Sequence, residues 1–117
     1  MSGFSIKLEE KVLINENFRE VLFTTERSQL VVMALQPGED IGLEVHDEHD
    51  QFIRVEVGTG KAVMDGEEHQ LEDGSAVVIP AGTEHNILNT GDGVMKLYTI
   101  YTPPEHPDGR LDAVKPA

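Results

Sequence analysis

The stretch Gly74-Ser75-Ala76-Val77-Val78-Ile79-Pro80-Ala81-Gly82-Thr83-Glu84-His85-Asn86-Ile87-Leu88-Asn89 decides how the rest of the chain is read. It contains two short β-rich runs, Ser75–Ile79 and His85–Asn89, with Pro80 and Gly82 between them as turn residues. Asp73-Gly74 opens the stretch and Gly91-Asp92-Gly93 closes it with a further reversal. Working outward, similar runs recur at Glu20–Thr24, Gln29–Gln36, Gln51–Val57, Lys61–Met64, Glu67–Leu71 and Val94–Thr102. Pro37-Gly38 stops the second of them. Asp65-Gly66 between Lys61–Met64 and Glu67–Leu71 is a type I′ hairpin signal, because both turn positions require positive φ. A short helix fits only Asn15–Glu26, and the β-branched and aromatic end Val21-Leu22-Phe23-Thr24-Thr25 favours strand there as well. Many short strands at near-regular spacing in a small chain predict an all-β sandwich or barrel.

The whole chain has 117 residues, enough for one domain with one core. Residues 1–102 are expected to form that domain, N-terminal strands included. Four of the six prolines (Pro103, Pro104, Pro107 and Pro116) follow Thr102, so residues 103–117 are expected to be an extended tail packed on or near the barrel, fraying after Arg110. Nine Lys and Arg against 22 Asp and Glu give a net charge of −13, which repels phosphate backbones and anionic lipid surfaces. Nucleic-acid and membrane partners are therefore excluded from the working set. The absence of cysteine removes disulfides, iron–sulfur clusters, thiolate zinc sites and cysteine nucleophiles, leaving His, carboxylates and amides as the donors for any metal. No apolar run approaches a signal or spanning segment, the longest being Leu30–Leu35 and Ala76–Ile79, so a cytoplasmic protein is expected.

Five histidines are present. His69, in Glu67-Glu68-His69-Gln70, reads as a solvated hairpin residue. Strand alternation over Ile41–His46 puts Gly42, Glu44 and His46 on one face and Ile41, Leu43 and Val45 on the other. Taken alone, this segment is compatible with an apolar face in the core and Glu44 and His46 in water. Longer spacing points the other way. Gly74, Pro80, Gly82, His85 and Asn89 follow G-x5-P-x-G-x2-H-x3-N, and Gly38, His46 and Gly58 keep the register of G-x5-H-x-H-x4-E-x6-G. Fifteen residues lie between the two blocks.

On these residues the segment from Gly38 to Asn89 resembles the cupin superfamily. The first motif departs from the family pattern by carrying Glu44 at the first His position and Gln51 at the Glu position. The resemblance implies a double-stranded β-helix, a single-domain jelly-roll barrel, with one divalent ion (Fe, Mn, Ni or Zn) inside its mouth. Carried over position by position, it implies Glu44, His46, Gln51 and His85 as metal ligands, with His49 in Asp47-Glu48-His49-Asp50 as an alternative third imidazole. The carboxylate has moved from position 51 to position 44, so the set keeps one negative charge. Two His and one carboxylate are also the donors of non-haem Fe(II) oxygenase sites.

Three functions are compatible with this reading. The first is an enzyme in which the ion polarises a small organic substrate or activates O₂. The second is isomerisation of a sugar or sugar phosphate, because the Thr102–Gly109 tail resembles that of small bacterial cupins labelled mannose-6-phosphate isomerase-like. The third is a non-catalytic barrel that binds a small molecule. Glu44 and His106 are the candidate catalytic residues, His106 as a group at the barrel mouth. No phosphate-binding cluster is evident, since Arg54 alternates out of phase with Gln51 and Lys61 and Lys96 lack context. Gly58-Thr59-Gly60-Lys61 lacks P-loop spacing, and no Ser occupies a G-x-S-x-G elbow. If Glu44 and His46 point inward, Ile41, Leu43, Val45 and Phe52 point outward, and a patch of that kind predicts cover by the N-terminal segment or a second subunit, a homodimer.

Overall fold

The computed structural model describes residues 2–117. One helix, α1 (Leu8–Ile14), precedes ten strands: β1 (Arg19–Thr24), β2 (Gln29–Leu35), β3 (Glu44–Val45), β4 (Asp50–Val57), β5 (Gly60–Met64), β6 (Glu67–Leu71), β7 (Ala76–Ile79), β8 (Glu84–Asn89), β9 (Met95–Thr102) and β10 (Leu111–Asp112). They form a six-stranded sheet in the order β10-β1-β2-β9-β4-β7 and a four-stranded sheet in the order β3-β8-β5-β6. Every pairing within them is antiparallel. This is the expected double-sheet jelly roll. The predicted hairpin is also present: Met64 pairs with Glu67, and Asp65 and Gly66 both take positive φ, 49° and 82°.

Period-two alternation fills the space between the sheets. Val31, Met33 and Leu35 of β2, Ile53 and Val55 of β4, Ile87 of β8 and Met95 and Leu97 of β9 meet in one buried cluster. Gly58, between β4 and β5, has φ +122°, and a Cβ there would sit 2.8 Å from the Met95 Cα. Backbone therefore closes directly on backbone at this end of the barrel. Asn89 is structural: its Nδ2 donates to the Leu35 and Gly93 carbonyls, both at 2.9 Å, and its Oδ1 accepts from the Gly91 N–H. Among the described residues no helix is long and apolar enough to cross a membrane.

Three expectations need correction. The helix lies at Leu8–Ile14, not within Asn15–Glu26. Seven residues with no side-chain N-cap bond make a weak helix by themselves, and α1 gains its order by packing on β2, β4 and β9 with Val12 fully buried. Residues 111–113 stay on the barrel beyond Arg110. Leu111–Asp112 pairs with Glu20–Arg19 as an added edge strand, and the Phe18 N–H donates to the Ala113 carbonyl. Ile41 does not join the outward face, because Gly42 at φ +116° breaks the alternation and lets Ile41 pack on the core. Leu43 and Val45 do point out, 66% and 48% exposed. Phe52 lies against Tyr98, ring centroids 6.2 Å apart, on strands that α1 packs against.

Candidate metal centre

β3 and β8 are registered so that Glu44 lies opposite His85. Alternation then returns His46, two residues along, to the side of Glu44. The turn after β7 holds His46 in place: the Thr83 N–H donates to the Pro80 carbonyl at 3.2 Å, and the Gly82 N–H donates to the His46 carbonyl at 2.9 Å. Gly82 has φ +85°, a conformation L side chains rarely adopt. A turn of the second sequence motif is thus bonded to His46, a candidate ligand of the first. The Ala81 N–H donates to Asp50 Oδ1 at 2.9 Å, fixing the start of β4 beside Gln51.

Glu44, His46 and His85 each present one ligand atom, all within 4.8 Å of one another. His85 is buried, and its Nδ1 donates to the Thr83 carbonyl at 2.9 Å, which leaves Nε2 with its lone pair free. His46 Nε2 lies 2.7 Å from Glu44 Oε2 without the alignment of a hydrogen bond, and it is buried with no hydrogen-bond partner. Gln51 is 2% exposed; its Nε2 donates to Thr99 Oγ1 at 3.0 Å, and its Oε1 is buried without a partner. Gln51 pairs across the sheet with Tyr101, whose ring stands edge-on to His46 at 6.0 Å. Burying a polar atom unpaired is unfavourable. The unpaired His46 nitrogen beside a carboxylate and an oriented imidazole fits a divalent transition ion, and Gln51 Oε1 offers a further buried, unpaired amide oxygen.

His49 lies beside this cluster, not in it. Its Nδ1 donates to the Pro103 carbonyl at 2.7 Å and its Nε2 faces Glu105 Oε2 at 2.9 Å. The same Glu105 oxygen is 3.5 Å from His46 Nδ1, the placement of a carboxylate that orients a ligating imidazole. Glu105 was one acid among 22 in the sequence, with no spacing to mark it. His106 is half-buried on the tail, tied by its backbone N–H and carbonyl to the Gln29 amide, with Nε2 3.4 Å from the Tyr101 hydroxyl. Burial above all, then the charges of Arg19 and Arg110, push His106 down to about 4. Burial and then the Glu44 charge raise the Tyr101 phenol well above its ordinary range. Both side chains are therefore neutral near pH 7.

A double-stranded β-helix with two His and one carboxylate gathered inside one end defines a recognisable class of protein. The cupin domain model matches residues 31–101, and the chain belongs to the cupin family. It is 42% identical over 96% of its length to protein YrkC of Bacillus subtilis (strain 168), spanning 63% of that protein. It is likewise 42% identical over 97% of its length to protein L612 of Acanthamoeba polyphaga mimivirus, spanning 73% of it. The crystal structure of BH2720 from Bacillus halodurans matches with a TM-score of 0.94 at 42% identity, over 96% of this chain and 89% of that one.

Proposed function

We propose that the protein is a small-molecule enzyme holding one divalent ion (Fe, Mn, Ni or Zn) on Glu44, His46 and His85, with Gln51 as a weak fourth ligand. The observation that carries this reading is the cluster of Glu44, His46 and His85 within 4.8 Å, with two buried polar atoms, His46 Nε2 and Gln51 Oε1, left without a hydrogen-bond partner. When bound, the ion supplies polarisation of a substrate oxygen or activation of O₂, the chemistry of two-His, one-carboxylate sites with open positions. The chain's residues set the conditions for it. Thr83 and Glu105 hold the two imidazoles in orientation. Glu44 brings the single negative charge, and its side chain, 34% exposed, reaches the cavity beside the cluster. His106 and Tyr101 line up as a neutral hydrogen-bonding pair.

Oxygenase-type chemistry is the reading favoured here, because the carboxylate at position 44 completes the donor set of Fe(II) oxygenase sites. The test loads the full chain with Fe(II) and follows O₂ uptake against small diketones, phenols and amino-acid derivatives. Uptake that disappears in Glu44→Gln supports it. Proton exchange into a sugar phosphate without O₂ uptake would replace it with isomerase chemistry, and a chain that takes up no ion would overturn both. The proposal includes a homodimer, because β3 is an edge strand with Val45 exposed and Leu43, just before it, exposed as well. Light scattering at micromolar concentration should give twice the chain mass, and a clean monomer contradicts it.

A further inference from the structure

A cavity of about 360 Å³ lies between the tail and the start of β1, and Glu44 forms part of its wall. Arg19, His106, Arg110 and Lys115 line it as well, so two of the four arginines of a chain with net charge −13 converge on one small space. The β1–β10 pairing brings them together: Arg19 stands opposite Asp112, and Arg110 precedes β10. Arg19 Nη1 and Arg110 Nε both donate to the single oxygen Asp112 Oδ2, at 2.9 and 3.0 Å.

The two guanidinium groups share one carboxylate oxygen, and neither is paired with Glu44 or Glu105 on the same wall. Lys115 is already answered by Asp40, and Glu105 is turned toward His46 and His49. Arg19 is the costly member, its side chain only 8% exposed and its Nε buried with no partner. A desolvated guanidinium with spare donors is unfavourable unless an anion completes it, and its planar fork matches a carboxylate.

From this geometry we infer that the cavity binds the carboxylate of a small organic acid on Arg19 and Arg110, with the body of the acid extending past Ile41 and Phe18 toward Glu44. Two guanidinium groups that share one carboxylate oxygen fit a monocarboxylate. A phosphate dianion would bring a second negative charge into a space already walled by Glu44 and Glu105. That the far end of the acid meets the ion rests on the metal reading above; the anion site itself does not. His106 adds a neutral imidazole to the wall and leaves the charge count unchanged.

Calorimetry on the full chain at pH 7.5 separates the two claims. The probes are two- to six-carbon monocarboxylates, the neutral amides of the same skeletons, and inorganic phosphate, each with and without one equivalent of Mn(II). At least one carboxylate should bind and its amide should not. Arg110→Gln, which leaves Arg19 to pair with Asp112, should weaken that binding about tenfold while Mn(II) stoichiometry stays unchanged. His85→Ala should lose Mn(II) yet still bind the carboxylate. No carboxylate binding, or equal binding by Arg110→Gln, would overturn the anion site while leaving the metal centre intact. Phosphate binding tighter than every carboxylate would overturn the assignment to organic acids. Carboxylate binding in a wild-type chain that takes up no Mn(II) would uphold the anion site and remove the metal centre.

Discussion

The two ends of the barrel interior are built by the same strands with opposite chemistry. On β4 the inward column runs Gln51, Ile53, Val55; on β9 it runs Tyr101, Thr99, Leu97, Met95. At the Met95 end both columns are apolar, and Gly58 and Gly60 let backbone close directly onto Met95. At the Gln51 end both columns turn polar or aromatic, with Gln51, Thr99 and Tyr101, and the Gln51 and His46 side chains each keep a buried polar atom without a hydrogen-bond partner. The first end is what a core needs. The second is unfavourable for folding and makes sense as a binding site. Stability and function are thus separated along single strands, a few residues apart.

Mutations at each end should break different properties. Leu97→Ala, at a fully buried position of the closed end, should cost roughly 2–5 kcal/mol in urea unfolding and leave metal stoichiometry at one. At the open end, His85→Ala should lower metal affinity by about a hundredfold or more in calorimetric titration. Gln51→Glu should show the opposition within one residue. It should tighten metal binding about tenfold, while the metal-free protein loses stability because a charge replaces a buried amide. Glu105→Gln keeps the shape of the tail and removes the charge facing His46, so metal affinity should fall about tenfold with little change in unfolding.

The smallest effect concerns pH. His106 faces Arg19, Arg110, His46 and Asp112, and in the folded chain it takes up its proton only near 4. In the unfolded chain it does so near the ordinary value of 6.5. Between those limits the unfolded state binds more protons, so this group makes stability fall as pH drops from 6.5 toward 4 and contributes no slope above. His106→Asn should flatten that part of the wild-type stability–pH curve, measured by denaturant unfolding at each pH.

The same contrast explains what the sequence could and could not reveal. Period-two runs and the Asp65-Gly66 turn made the strands legible, since strand faces and tight turns are written locally. The Glu44, His46, Gln51 and His85 positions came from the resemblance to the two cupin motifs, whose spacing Gly38, Gly58, Gly74, Pro80 and Gly82 carry, and the fold gathers Glu44, His46 and His85. Other features depend on partners far along the chain. α1 exists because Val12 finds buried cover, and β10 because two residues reach β1. Arg19 and Asp112 are 93 positions apart, so no local pattern marks the cavity they help to build. Glu105 became meaningful only once the tail folded back over His46 and His49. Gly42 misled the alternation for a related reason, because its positive φ follows from the path of the loop.

The central claim is that the Glu44, His46 and His85 cluster at the open end holds a metal ion. The most direct test is plasma mass spectrometry of untagged, gently purified protein, before and after incubation with Fe(II), Mn(II), Ni(II) and Zn(II), with His85→Ala alongside. The expected result is close to one divalent ion per wild-type chain and none in the variant. A folded wild-type chain that stays empty with every ion would contradict the claim and leave a barrel that binds small molecules without a metal.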